Sequence, residues 1–231
     1  RYDKMLSMCH LYRGWSYAGY QLGDRMVFMG GSSLTMGVGS SASRLVHQTV
    51  KNIRMLSSFD MDETHMRSYA DTLNRFRPKF IFGYASSIHF FSRWLRANNV
   101  QVSSPVGIFT TAEKLFPEAR KDISDIFRCE VLDTYGLNDG GVSAFECLEH
   151  RGMHVDTERA VMEVVDGDGR QMAKGEGRIL ATSLHNQSMP FIRYDTGDIG
   201  RVTDELCPCG RQHPLLEEIK GNAMLLNELA W

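Results

Sequence analysis

The sequence predicts an α/β protein: a parallel sheet with covering helices, followed by an antiparallel β-rich lobe. Two observations carry this reading. Between residues 60 and 136 short apolar runs alternate with helical periods in the order β-α-β-α-β, the pattern of parallel strands joined by crossover helices. After about residue 150 the helical period vanishes, and short strands separated by Gly-containing turns take over.

Each element has its own warrant. In "FDMDETHMRSYADTLNRF", Met66, Tyr69, Leu73 and Phe76 recur at helical spacing, with Asp60 and Glu63 placed to cap the start. "KFIFGY" reads as a strand closed by Gly83. "SSIHFFSRWLRANN" is a helix with Ile88, Phe91 and Leu95 facing inward and Asn98-Asn99 as its stop. "VGIFTT" is the next strand, "FPEARKDISDIF" a helix with Pro117 in its first turn, and "EVLDTYG" another strand. Further on, "AVMEVVDGDGRQM" predicts a strand, an Asp-Gly turn and a return; "GRILATSL" and "PFIRYDTGD" predict two more strands. The expected division is an α/β subdomain over 1–150, a β-rich subdomain over 151–222 and a terminal segment over 223–231.

Composition excludes several function classes. With 26 Lys and Arg against 28 Asp and Glu, the net charge of −2 offers no basic footprint for nucleic acid. No apolar run approaches the roughly 20 residues needed to span a bilayer, and "RYDKMLSMCHLYRGW" lacks the apolar core of a signal peptide, so no membrane role and a cytoplasmic location are expected. The chain opens on Arg1 rather than Met and is expected to be a piece of a longer protein. Five cysteines are an odd number for a disulfide framework, which turns attention to metal binding. Cys147, Cys207, Cys209 and a histidine, His150 or His154, make a Cys₃His set suited to tetrahedral Zn²⁺.

Three segments carry chemistry at strand ends, where open parallel sheets bind ligands. The Gly/Ser loop "MGGSSLTMGVGSSAS" (29–43) can converge backbone N–H groups on an anion, although it lacks a P-loop ending. "TYGLNDGG" exposes Tyr135, Asn138 and Asp139 after a buried strand; a Tyr ring can cover a base and a carboxylate can hold Mg²⁺. In "FIRYDTGDIG", Asp198 can accept two hydrogen bonds from a vicinal diol, while Gly197 lets the backbone turn tightly. The other histidines, His10, His47, His65, His89 and His185, are scattered and read as surface or satisfied core residues; no G-x-S-x-G elbow supports a hydrolase.

"TTAEKLFPEAR", "DTYGLNDGG" and "FIRYDTGDIG", in that order and spacing, resemble the adenylate-forming superfamily of acyl-CoA synthetases. "GYQLGD", "FGYASSI", "FECLEHRGMH" and "CPCGRQHPLLEEIKG" narrow the resemblance to its phenylacetate-CoA ligase branch, including relatives from capsular polysaccharide clusters. The resemblance implies part of the large N-terminal domain of such an enzyme, with ATP (leaving as AMP), Mg²⁺ and coenzyme A as cofactors and a small carboxylate as substrate. It implies that Asp198 holds the ribose hydroxyls, that Tyr135 and Gly136 line the adenine site, and that Thr111, Ala112 and Glu113 wall the adenine and acyl pocket. Asp139 stands where the family has the Glu that meets Mg²⁺, and Asn138 replaces its usual Thr. Arg193 is expected to bind phosphate or to pair with Asp195. A Gly-x-His after the first cysteine in the relatives favours His154 over His150, and four ligands imply a structural Zn²⁺.

Departures from the pattern are equally informative. The family phosphate loop normally precedes the "GYQLGD" segment, so it is expected before Arg1, with "MGGSSLTMG" bordering the substrate cleft. Asn222 occupies the place of the hinge arginine, and 223–231 would begin the hinge to a mobile C-terminal domain with a catalytic lysine. This stretch alone is therefore expected to be incapable of the full reaction. A relative that binds nucleotide without catalysis, or a zinc-stabilised interaction module, are the alternatives; the sequence leaves the oligomeric state open, with a homodimer among the options.

Overall fold

The computed structural model describes residues 2–31 and 50–222. In chain order its elements are α1 Tyr2–Ser16, β1 Met26–Gly30, β2 Ile53–Ser57, α2 Glu63–Phe76, β3 Phe80–Tyr84, α3 Ala85–Ala97, β4 Gly107–Thr111 and α4 Pro117–Phe127. Then come β5 Glu130–Gly136, β6 Ser143–Glu146, β7 Met153–Val155, β8 Ala160–Val165, β9 Gly175–Ser183, β10 Tyr194–Thr203 and β11 Leu215–Asn222. Most of the 29–43 loop and all of 223–231 lie outside the described residues. No helix among the described residues is long and apolar enough to cross a membrane.

Packing divides the chain into two compact units, Ala18–Leu132, and Arg1–Tyr17 with Asp133–Trp231. The boundary falls at Asp133 rather than residue 150, because Thr134–Gly136 of β5 already pair with β6 and α1 packs on β6.

The first unit is the parallel one. Its strands run β2-β1-β3-β4, all parallel, with the start of β5 beside β4. α2 begins at Asp62, whose extended φ of −77° lets its carboxylate accept from the His65 N–H, so Asp62 rather than Asp60 is the cap. Met66, Tyr69 and Leu73 are buried and Phe76 packs beside them, as the periodicity predicts. α3 buries Ile88, Phe91 and Leu95, and Phe91 stacks on Trp94 at 6.0 Å. α4 carries Pro117 in its first turn and ends at Arg128, whose left-handed φ of 53° is supported by a 2.7 Å bond to Ser124 O.

The second unit is the antiparallel sheet β5-β6-β7-β11-β10-β9-β8. The expected return after the β8 turn reduces to a single bridge, Val165 to Gln171. "PFIRYDTGD" also differs from expectation: Arg193 has a left-handed φ of 47° and the strand starts only at Tyr194, so Asp198 lies within β10 rather than at a strand end.

α1 is held to this sheet by charge as well as by apolar contact. Arg13 donates to Asp156 and to both oxygens of Glu158, and Arg159 donates to both oxygens of Asp3. The Arg13 guanidinium holds the Glu158 carboxyl at about 2, and Arg159 holds Asp3 below the usual carboxylate range. Both folded values are depressed, so this stabilisation is complete above the ordinary value of 4.5 for Glu158 and is lost as pH falls towards about 2. Acidification from pH 5 to pH 2 should therefore loosen α1. In a Trp94→Phe/Trp231→Phe background, emission of the buried Trp15 should shift red across that window; an unshifted spectrum at pH 2 would contradict the clamp.

Candidate functional site

Asp198 owes its position to an irregularity in β10. The register against β9 jumps between Asp195 and Ile199, which marks a bulge over residues 196–198. Gly197 takes φ 76° and donates its N–H to Asp195 Oδ1, while the Asp198 N–H donates to Thr196 Oγ1, itself bonded to Ile179 O. A bulge of this kind re-aims one side chain, and here it leaves the Asp198 carboxylate half-buried beside β5.

The residue that meets it is Tyr135, whose hydroxyl donates to Asp198 Oδ2 at 2.9 Å. The Tyr135 ring packs against two apolar clusters, one with Ala144, Val155 and Ile179, the other with Val142, Ala160 and Ala181. Burial, seconded by the neighbouring Asp198 charge, raises the Tyr135 pKa, so the phenol stays protonated and remains a donor. Tyr135 and Asp198 each read from the sequence as nucleotide-site candidates, and the bond that joins them spans 63 residues.

After β5 the chain makes a turn closed by a 2.9 Å bond from Leu137 N–H to Val142 O. Gly140 and Gly141 take φ 77° and 78° in it, and Asn138 and Asp139 are exposed there, beyond the exposed Gly136. Only glycine suits position 140: an added Cβ would sit 2.4 Å from the Ala181 Cβ.

Arg193 is engaged elsewhere. It donates to Glu163 Oε2 at 3.2 Å and to Gly169 O at 2.8 Å, whereas Asp195 pairs with Arg178 at 2.7 Å, so the expected Arg193–Asp195 pair does not form.

Within the parallel unit, Thr111 ends β4 half-buried, and Ala112 adopts φ 66°. The exposed Glu113 accepts the Ser86 N–H at 2.8 Å in the first turn of α3, whose own cap residue Tyr84 offers no side-chain acceptor. The Glu113 carboxylate thus faces the positive end of that helix dipole.

A second constellation forms in the antiparallel unit, around β6, β7 and the β10–β11 connection. Cys147 follows β6, His154 lies in β7, and Cys207 with Cys209 lie in the β10–β11 connection. Their four ligand atoms all lie within 4.8 Å of one another. Sγ of Cys147 is 3.7 Å from Sγ of Cys207, and His154 Nε2 is 3.3 Å from Cys147 Sγ and 3.4 Å from Cys209 Sγ. Zn–S and Zn–N bonds of about 2.3 and 2.0–2.1 Å at tetrahedral angles imply S–S edges of about 3.8 Å and S–N edges of about 3.6 Å. The donor set fits that ion. Burial, with Arg211 and His213 nearby, pushes His154 down to about 4, so its imidazole is neutral and able to ligate. Burial also pushes the Cys147 thiol up to about 12, so a cation is needed to favour its thiolate. His150, the rival ligand, sits in the turn at φ 50° and pairs with Glu146 at 3.1 Å. The Tyr17 ring lies edge-on to His154 at 5.5 Å with Arg211 4.0 Å over its face, a support that the sequence did not announce.

No family model matches the chain. Protein CapK of Staphylococcus aureus is 28% identical over 156 residues, 67% of this chain and 33% of that protein. A phenylacetate-coenzyme A ligase of Thermus thermophilus is 36% identical over 116 residues, 48% of this chain and 26% of the enzyme. The chain therefore spans about a quarter to a third of the curated relatives it matches. Among solved structures, 2-hydroxyisobutyryl-CoA ligase in its postadenylation state with 2-HIB-AMP superposes at TM-score 0.74 and 20% identity, over 95% of this chain and 48% of that one. At that identity the likeness concerns the fold, an α/β arrangement with parallel and antiparallel sheet.

Proposed function

We propose that this chain is part of an adenylate-forming enzyme, and that it serves the ATP-dependent activation of a carboxylate followed by acyl transfer to coenzyme A, as its likeness to CapK and to phenylacetate-coenzyme A ligases supports. A carboxylate oxygen attacks the α-phosphorus of ATP; the bond from that phosphorus to the bridging oxygen breaks, pyrophosphate leaves, and an acyl-adenylate remains. The protein's contribution to such a step is positioning and charge neutralisation.

The observation that supports this reading most is the Asp198 carboxylate, raised on a glycine bulge and hydrogen-bonded by a fixed tyrosine. An ionised carboxylate so held suits the two hydroxyls of a ribose. Tyr135 and Gly136 are proposed to line the adenine, and Thr111, Ala112 and Glu113 keep their proposed place at the nucleotide and acyl pocket. Asp139, exposed with Asn138 in its turn, suits Mg²⁺, which keeps several waters and is often held through one carboxylate and the substrate phosphates. When bound, that ion offsets phosphate charge. Arg193 is proposed to reach phosphate only by giving up Glu163. Cys147, His154, Cys207 and Cys209 would hold a structural Zn²⁺ with no open coordination position.

Pyrophosphate exchange into ATP by the intact protein carrying this chain tests the reading, against a panel of aryl, acyl and amino-acid carboxylates. Exchange should depend on one carboxylate class and fall by at least about 100-fold in Asp198→Ala, as loss of a charged group that orients substrate commonly does. Silence across the panel from folded protein would favour a relative that binds nucleotide without catalysis, a reading to which the shorter Asp139 lends weight.

A further inference from the structure

We propose that the hydroxyl of Tyr135 is a positioning group for nucleotide selection: by donating to Asp198 Oδ2 it fixes the carboxylate that discriminates a ribose from a sugar lacking its hydroxyls. This rests on the reading of Asp198 as a ribose ligand and adds a distinct role for Tyr135 beyond its aromatic face.

Three features make the bond a positioning device. The first is a rigid donor. Tyr135 sits opposite Ala144 in the β5–β6 register, and its ring is wedged between two apolar clusters, so the phenol oxygen has little freedom. The second is an acceptor that the phenol orients. Asp198 lies on a bulge with its side chain half-buried, and its fixed backbone bond, N–H to Thr196 Oγ1, does not restrain the carboxylate. Without the phenol the carboxylate rotor would be free to turn towards water, and ordering it on binding would cost affinity. The third is stoichiometry: an ionised carboxylate offers about four lone-pair directions, and Tyr135 takes one, on Oδ2. Oδ1 and the remaining lone pair of Oδ2 are left for a vicinal diol, in an orientation set by the protein before the sugar arrives.

The ring and the hydroxyl can be separated by Tyr135→Phe, which keeps the apolar packing and any base stacking while deleting the donor. The experiment is equilibrium binding of ATP and of 2′,3′-dideoxy-ATP to the protein carrying this chain. It compares wild type, Tyr135→Phe, Asp198→Ala and the double variant, with thermal melting as a check on folding. Tyr135→Phe should weaken ATP by about ten- to 100-fold, the scale of one hydrogen bond to a charged group, and leave dideoxy-ATP nearly unchanged. The preference for ATP should narrow accordingly. In the Asp198→Ala background the same substitution should have no further effect, because its target is gone. A purely structural role would weaken both nucleotides alike and leave their ratio unmoved, which would overturn the inference, as would equal factors for Tyr135→Phe with and without Asp198. If instead Asp198→Ala binds ATP as wild type does, or wild type binds neither nucleotide, the reading of Asp198 itself fails.

Discussion

Cys207→Ala should release one equivalent of zinc and lower the melting temperature of the protein by about 10 °C or more, since each kcal/mol lost shifts a chain of this size by about 2–4 °C. The proposed ion ties together three stretches that the backbone leaves separate: the end of β6 through Cys147, β7 through His154, and the β10–β11 connection through Cys207 and Cys209. Strands β7 and β11 share only the pairs Leu215–His154 and Met153–Leu216, so the ladder there is short and a cross-link matters. Structural zinc couples its binding free energy to folding, and its removal leaves buried thiols facing a neutral imidazole. Treatment with a chelator should reproduce the shift in wild type and leave Cys207→Ala unchanged. Cys129→Ala is the control, because Cys129 belongs to the parallel unit and stands apart from the cluster. Zinc content and melting unaltered in Cys207→Ala, as in the control, would dispose of the metal reading. A serine variant at Cys147 gives a second route to the same result, since the hydroxyl keeps the size of the site while losing the thiolate.

The histidine in that set shows where sequence reasoning reaches and where it stops. The cysteine spacing alone left His150 and His154 as equal ligands, because both follow Cys147 within seven residues. Backbone geometry separates them: His150 takes a left-handed turn conformation that delivers its ring to Glu146, whereas His154 lies in β7 with its ring directed inward. The same limit applies to the cap of α2. "FDMDE" offers two aspartates two residues apart, and only the extended backbone at Asp62 puts a carboxylate three residues ahead of the His65 N–H. The helical faces were legible because burial follows period, as Met66, Tyr69 and Leu73 demonstrate. Partners across strands were not. Asp195 pairs with Arg178 on the neighbouring strand although Arg193 is two residues away in sequence, and Tyr135 finds Asp198. The one available signal for the latter was general: a tyrosine in a buried strand needs an acceptor for its hydroxyl, and an acid at a glycine bulge is a good one.

Gly83→Ala should destabilise the parallel unit by about 3 kcal/mol or more, at the upper end of overpacking effects, although it adds one methyl group. Gly83 lies near the end of β3, paired with Met29 of β1 on one side and Thr110 of β4 on the other. A Cβ there would sit 2.1 Å from the Met29 carbonyl oxygen and 2.9 Å from its carbon. These are backbone atoms in a central parallel pair, so no rotamer change can relieve the clash; β1 and β3 would have to separate and give up ladder hydrogen bonds. The clash also falls at the carboxyl ends of these strands, where β1 runs into the Gly30-Gly31 start of the glycine-rich segment, so the damage would spread to the edge at which such sheets bind ligands. Gly107→Ala in the adjoining strand provides the comparison. Its nearest neighbours to an added Cβ are Phe80 ring atoms at 3.6 Å, an ordinary contact, and its φ lies outside the left-handed region, so that variant should melt within a degree or two of wild type. Chemical denaturation of both variants would decide the matter: equal midpoints for Gly83→Ala and Gly107→Ala would mean that β1 and β3 do not approach as closely as the structure has them.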